Sequence, residues 1–168
     1  ATGVLAGSDG YPGAAVLCSG AAVATHSGMV RYAGSAAAQV VSHWPEVVAA
    51  PGFDAAGRVQ AWVIGPGLGT GHAESATLRA VLATDLPVIV DADALTILSR
   101  HPDLVRSRTA PTVLTPHAGE FERLAGHPPG ADRVAAARGL ADDLGATVLL
   151  KGNVTVIADP GGPVYLNP

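Results

Sequence analysis

Short apolar runs alternate along the chain with stretches in which apolar residues recur at helical spacing. Val4-Leu5-Ala6 predicts a first strand, and the Ala-rich segment after Pro12 predicts a helix, with proline suited to its first turn. Met29-Val30-Arg31-Tyr32 predicts a second strand and Glu46-Val47-Val48-Ala49 a short third. Ala61-Trp62-Val63-Ile64 reads as a strand stopped by Gly65-Pro66-Gly67-Leu68-Gly69. Leu78, Val81 and Leu82, spaced i, i+3, i+4, mark the helix that follows. Pro87-Val88-Ile89-Val90 is continuously apolar, which predicts a strand buried on both faces. Thr112-Val113-Leu114 predicts another strand, and Val134, Ala137, Ala141 and Leu144 share one helical face. Thr147 to Leu150, Val154 to Ile157 and Val164 to Leu166 predict three last strands. They lie too close together for helices between them, so they should form antiparallel hairpins at one edge. Gly52 to Arg58 reads as a surface loop, and no internal repeat or linker occurs. The alternation predicts an α/β fold with a mainly parallel central sheet flanked by helices.

Composition narrows the classes. A chain of 168 residues is one domain's worth of protein. Charged residues make up 14%, against roughly 25% in an average soluble domain, so a membrane span has to be considered. The richest apolar run, Gly13 to Ala24, is short and broken by Ser19 and Gly20, which excludes a spanning helix. The net charge of −4 and the absence of a Lys/Arg stripe argue against a nucleic-acid partner. Cys18 is the only cysteine, which excludes a disulfide scaffold. It falls inside the Ala-rich helix and reads as a packing residue. The first residues carry no basic segment, so no secretory signal is expected among them. Both ends read as strand, as expected of a domain cut at both ends.

In open α/β sheets ligands bind beyond the carboxyl ends of the strands. Four such ends carry unusual residues: Gly7-Ser8-Asp9-Gly10, Gly65 to Gly69, Asp91-Ala92-Asp93, and Thr115-Pro116-His117-Ala118-Gly119-Glu120. They are expected on one edge of the sheet. The glycine loop suits an anion through its free N–H groups, though it equally suits a tight strand-to-helix turn. It matches neither the G-x-G-x-x-G fingerprint nor the phosphate loop with its G-K-[ST] ending. Asp93 reads as a cap for the helix at Ala94-Leu95-Thr96. A metal reading of Asp91 and Asp93 needs convergent ligands that spacing does not show. Thr115-Pro116 reads as a helix cap followed by a first-turn proline. That places His117 and Glu120 in the first turn, where the helix dipole favours a neutral imidazole. Lys151 is the only lysine, beside Gly152 at a strand end, and a lysine there suits a phosphate.

Taken in order, Gly7-Ser8-x-x-Tyr11-Pro12-Gly13-Ala14-Ala15, Gly65-Pro66-Gly67-Leu68-Gly69, Asp91-Ala92-Asp93-Ala94-Leu95, Thr115-Pro116-His117-x-Gly119-Glu120 and Lys151-Gly152-x-x-Thr155 form a specific set. The chain resembles the ADP/ATP-dependent NAD(P)H-hydrate dehydratases, of ribokinase-like fold, over nearly its whole length, and most closely the ADP-using bacterial branch. The resemblance implies that residues 1–168 are a single, partial dehydratase domain of a cytoplasmic repair enzyme. Its partners would be hydrated NADH or NADPH and an adenine nucleotide, ADP or ATP, with Mg²⁺ as cofactor. A phosphoryl group would pass to the substrate hydroxyl. Phosphate would then leave with loss of a ring proton, restoring the nicotinamide. The family tends to assemble, so a homo-oligomer is expected.

Carried over by position, the resemblance implies that Ala14, Gly67 and His117 contact the hydrated cofactor. Lys151, Gly152, Asn153, Val154 and Thr155 would contact the nucleotide. Glu120 would act near Mg²⁺ through water. The family's Gly-x-Gly-Asp turn, whose Asp is the expected base, does not occur in the sequence, so that Asp is expected beyond Pro168, the C-terminus is expected to be incomplete and the fragment inactive alone. Two other classes stay open. A small-molecule kinase of the same fold should lack His117 together with the Tyr11 to Ala14 segment. A non-catalytic nucleotide-binding remnant would bind without turnover.

Overall fold

The computed structural model describes all residues from Ala1 to Pro168. Nine strands form one sheet: β1 (Thr2–Leu5), β2 (Val30–Ala33), β3 (Val48–Ala50), β4 (Ala61–Ile64), β5 (Val88–Val90), β6 (Thr112–Leu114), β7 (Thr147–Leu150), β8 (Thr155–Ala158) and β9 (Val164–Asn167). Their spatial order is β3-β2-β1-β4-β5-β6-β7-β8-β9. The first seven positions pair in parallel, and β8 and β9 close the row as antiparallel hairpins, as the spacing predicts. Seven helices connect or cover them: α1 (Pro12–Ala24), α2 (Ala37–His43), α3 (His72–Leu82), α4 (Asp93–Leu98), α5 (Asp103–Arg106), α6 (Ala118–Ala125) and α7 (Arg133–Leu144).

Alternation along the strands divides the core between the two sheet faces. Val4 of β1 and Tyr32 of β2 point to one face and pack with Ala15, Ala22 and Val40 of α1 and α2, in a cluster of nine buried residues. Leu5, Ile64, Val90, Leu114 and Val148 point to the other. They join Leu78, Leu95, Phe121 and Leu144 of α3, α4, α6 and α7 in a cluster of 27. Burying one such Leu side chain is worth about 1.5–3 kcal/mol, so the second face carries most of the fold's hydrophobic stabilisation.

Several expectations are corrected. Ile89 is 40% exposed, so β5 is not buried on both faces. It points to the face of α1 and α2, which sit over β1 and β2, and no helix of this chain covers that face at β5. The short helices α2 and α5 and a 3₁₀ turn at Phe53–Ala55 occupy stretches where no helix was expected. All three have too few residues to show a helical period. β1, β2 and β3 are each displaced by one or two residues from the predicted runs, and β8 begins at Thr155 rather than Val154.

Candidate functional site

The strand order reverses between β1 and β4. From β1 the chain builds outward through β2 to β3, then returns to lay β4 on the other side of β1. Loops leaving neighbouring strands in opposite directions open a crevice at such a switch point, beyond the carboxyl ends. Here the loop after β1 carries Gly7 to Tyr11 and the loop after β4 carries Gly65 to Gly69. A cavity of about 560 Å³ lies between them, lined by Gly10, Tyr11, Pro12, Gly13, Ala14, Gly67 and Asp93. That volume suits a small-molecule site. Two cavities of similar size lie elsewhere, one of about 580 Å³ between α6 and α7 and one of about 550 Å³ lined by Ala61, Pro87 and Pro111 at the amino ends of β4, β5 and β6. Neither is lined by a residue expected to contact substrate, nucleotide or metal.

The crevice walls are stitched by backbone. Gly7 N–H donates to the carbonyl of Pro66 at 2.7 Å. Gly67 has φ +64, and a Cβ there would stand 2.8 Å from the Ala14 Cβ and 3.0 Å from the Tyr11 Cβ. Glycine is therefore required both by conformation and by the close approach of α1. The buried Tyr32 hydroxyl supports the loop from below, donating to the Ala6 carbonyl at 3.0 Å and accepting from Ala36 N–H at 3.1 Å. Burial pushes the Tyr32 phenol up from its ordinary value.

Asp93 does not cap its own helix. It is the first residue of α4, and its Oδ2 accepts from Gly69 N–H at 2.9 Å, tying the glycine loop to β5. The residue in the cap position is Ala92, with φ +50 and ψ −119, a conformation that costs a non-glycine residue about 1–3 kcal/mol. The kink separates the two aspartates, one serving the glycine loop and the other β7.

His117 is the cap of α6, in place of Thr115. Residues before proline resist the helical region, and the helix begins after His117, which has φ −79 and ψ 174. Its Nδ1 accepts from Gly119 N–H at 3.0 Å and from Glu120 N–H at 3.4 Å, while Glu120 Oε2 accepts from His117 N–H at 2.8 Å. This reciprocal box occupies Nδ1 with acceptor work and leaves the ring proton to Nε2, 3.4 Å from Glu120 Oε1. The His117 side chain is 55% exposed, whereas that of Glu120 is 8% exposed.

Lys151 follows β7 on the same edge. Its Nζ lies 2.6 Å from Asp91 Oδ1 and 3.9 Å from Glu120 Oε2. Its N–H donates to the Pro116 carbonyl at 2.8 Å, and its own carbonyl accepts from Arg133 Nη2 at 2.9 Å. Gly152, Asn153 and Val154 form the exposed β7–β8 turn, and Thr155 opens β8. The edge thus brings Ala14 and Gly67 together at the crevice, and His117, Glu120 and Lys151 together two and three strands away. Arg133 and the Asp91–Lys151 pair were not among the expected site residues. Nothing in the spacing marks Arg133, a half-buried arginine at a helix start. The Asp91 pairing follows only once β5 and β7 are known to flank β6.

No group of three His, Cys, Asp or Glu side chains is arranged to hold a metal ion. Both Glu120 oxygens already have partners, so a Mg²⁺ beside it would be held through water. Cys18 lines the cavity at the amino ends of the strands, and burial, then the Asp91 charge, pushes its thiol up, away from nucleophile chemistry. No helix is long and apolar enough to cross a membrane.

The sequence matches the family model for NAD(P)H-hydrate dehydratase over residues 2–168. It is 76% identical over 167 residues to a bifunctional NAD(P)H-hydrate repair enzyme of Mycobacterium tuberculosis, covering 99% of this chain and 35% of that protein. It is 40% identical over 178 residues to an ADP-dependent (S)-NAD(P)H-hydrate dehydratase of Neisseria meningitidis, covering 98% of this chain and 60% of that one. Among solved structures, the ADP/ATP-dependent NAD(P)H-hydrate dehydratase of Bacillus subtilis, co-crystallised with ATP/Mg²⁺, superposes with a TM-score of 0.82 at 34% identity, over 99% of this chain and 63% of that chain. A ribokinase-like superfamily protein of Enterococcus faecalis superposes with a TM-score of 0.86 at 26% identity, over 99% of this chain and 62% of that one. The fold is therefore ribokinase-like. The chain spans about a third of the length of the Mycobacterium relative.

Proposed function

We propose that this chain, which belongs to the NAD(P)H-hydrate dehydratase family, serves the nucleotide-dependent repair of hydrated NADH or NADPH. Its 168 residues act as one dehydratase domain or part of one. The observation that carries the reading is the crevice between β1 and β4, walled by Ala14 and Gly67, on the same sheet edge as His117 and Lys151. In this reading the hydrated nicotinamide half enters the crevice, where the missing side chain at Gly67 lets the backbone approach it. The exposed His117 ring, fixed by its cap, faces the substrate. The nucleotide lies along Lys151 to Thr155, with the Lys151 ammonium as a point charge for its phosphates.

Transfer of a phosphoryl group to the substrate hydroxyl makes the bond to be broken weaker, since phosphate leaves far more readily than hydroxide. Loss of phosphate and a ring proton restores the dihydronicotinamide. Mg²⁺, when bound with the nucleotide, would supply charge neutralisation on the phosphates, and Glu120 would hold it through water. The residues of this chain bind, orient and neutralise charge, and none is assigned here as the base. The same reading carries cytoplasmic location and assembly with further copies.

The test is a pair of binding measurements by calorimetry. Lys151→Ala is expected to weaken ADP or ATP binding about tenfold or more, because hydrogen bonds to charged groups are worth roughly 1.5–3 kcal/mol. Gly67→Leu is expected to abolish binding of hydrated NADH while leaving ADP bound. Loss of both ligands in either variant, or of neither, would sink the two-subsite reading. Binding of a small alcohol in the crevice in preference to hydrated NADH would favour a kinase instead.

A further inference from the structure

Lys151 is the only lysine of the chain, and its backbone is fixed at both ends independently of its side chain. Pro116 takes its N–H and Arg133 takes its carbonyl. The ammonium, four carbons farther out, needs a separate restraint, because a lysine side chain is flexible and a point charge has no geometry of its own. Two carboxylates stand near it. Glu120 is committed to the α6 cap through Oε2, and that oxygen is 3.9 Å from Nζ. Asp91 Oδ1 is at 2.6 Å. We infer that Asp91 is the positioning residue of the nucleotide subsite, holding the Lys151 ammonium at the strand edge where the phosphates arrive.

Asp91 is placed for this by its own backbone. Its N–H donates to the Ile64 carbonyl at 3.0 Å, and its carbonyl accepts from Ala94 N–H at 3.1 Å. The kink at Ala92 then sends Asp93 to the glycine loop and leaves the Asp91 carboxylate turned across β6 to β7. Asp91 is partly buried, with 26% of its side chain exposed, so the pair is shielded more than a surface ion pair and restrains more.

The inference rests on Lys151 as a nucleotide contact, and the sign of the effect separates it from simple electrostatics. Removing a carboxylate beside a phosphate-binding cation raises the local positive potential and would tighten ADP. Losing the restraint loosens it. Asp91→Asn is therefore expected to weaken ADP binding about tenfold, measured by calorimetry on the full chain. In a Lys151→Ala background the same substitution is expected to change nothing. With ¹⁵N-labelled lysine the protein gives one side-chain ammonium resonance, expected to be sharp in the wild type and broadened in Asp91→Asn. Asp91→Glu, which keeps the charge, is expected to recover part of both signals. Unchanged or tighter ADP binding in Asp91→Asn, or an equal loss in the Lys151→Ala background, overturns the positioning role while leaving the nucleotide reading intact. If Lys151→Ala itself leaves ADP binding unchanged, the nucleotide reading of Lys151 falls and this inference falls with it.

Discussion

The carbonyl oxygen of Asp91 lies where a Cβ on Gly65 would stand. The two residues directly follow neighbouring parallel strands, and Gly65 sits at φ +132, a conformation open to glycine alone. The backbones just past β4 and β5 thus meet directly. That contact lets the glycine loop and the Asp91–Ala92–Asp93 kink meet over the sheet edge, with Asp93 closing onto Gly69.

Gly65→Ala is therefore expected to be severe. The new methyl meets backbone on one side and the Ala94 Cβ at 2.8 Å on the other, and neither is the end of a flexible side chain. A loss of about 3 kcal/mol or more is expected in urea unfolding, from clash and backbone strain together. A loss below about 1 kcal/mol would mean that β5 can slide away from β4, and the edge would not be the rigid platform described. Gly67→Ala offers a contrast. Its left-handed φ costs roughly 1–2 kcal/mol, and its methyl presses on Ala14 and Tyr11 in the crevice, so hydrated NADH binding should fall more than stability.

Ala92 stores strain in the native state. Glycine at this position relieves it, against an unfolded-state entropy cost of about 0.4–1 kcal/mol. Ala92→Gly is expected to stabilise the chain by about 1 kcal/mol net, and Ala92→Val to destabilise it, since a β-branched side chain tolerates φ +50 worse. Urea midpoints in the reverse order would show that the kink is not a strained one.

The sheet and its parallel core were legible because Ala61 to Ile64, Thr112 to Leu114 and Thr147 to Leu150 are short apolar runs bounded by turn residues. That the loops after the strands share one edge was legible too, since unusual polar residues and glycines follow the strand runs, whereas the strand order that opens the crevice between β1 and β4 was not. What escaped was partnership. The Pro87 to Val90 run does not show that one face lacks a helix and leaves Ile89 exposed. The Thr115-Pro116-His117 sequence predicts a cap at Thr115, and the cap is His117, whose backbone is extended. Asp93 looks like a cap from the sequence and instead reaches 24 residues back to Gly69.

The cap at His117 separates stability from recognition. His117→Ala removes an acceptor for two N–H groups and is expected to cost about 1 kcal/mol, or roughly 2–4 °C in melting temperature for a chain of this size. Asparagine is a strong N-cap residue, so His117→Asn should melt close to the wild type. Both variants lack the exposed ring and should bind hydrated NADH more weakly. Full affinity in His117→Asn would restrict His117 to its structural role.

The partly buried Cys18 and the buried Tyr32 are expected to shape the alkaline limb of stability. Burial raises the Cys18 thiol above its ordinary 9.0 and the Tyr32 phenol above its ordinary 10.0. In both, the folded state holds the proton more tightly than the unfolded chain does. The stability tied to the neutral forms is therefore fully present below those ordinary values and is lost as pH rises through the raised, folded ones. Unfolding free energy measured in urea should be flat with respect to these groups to about pH 9 and fall beyond it. Cys18→Ala should flatten the first part of that fall and Tyr32→Phe the later part. Tyr32→Phe should also lower stability at neutral pH by about 1–3 kcal/mol, because Ala36 N–H loses its buried acceptor and the Ala6 carbonyl its donor. If the doubly substituted chain and the wild type fall in parallel above pH 9, neither group controls the alkaline limb. Alkylation gives an independent reading of the same shift: iodoacetamide should react with Cys18 at pH 8 more slowly in the folded chain than after unfolding in urea.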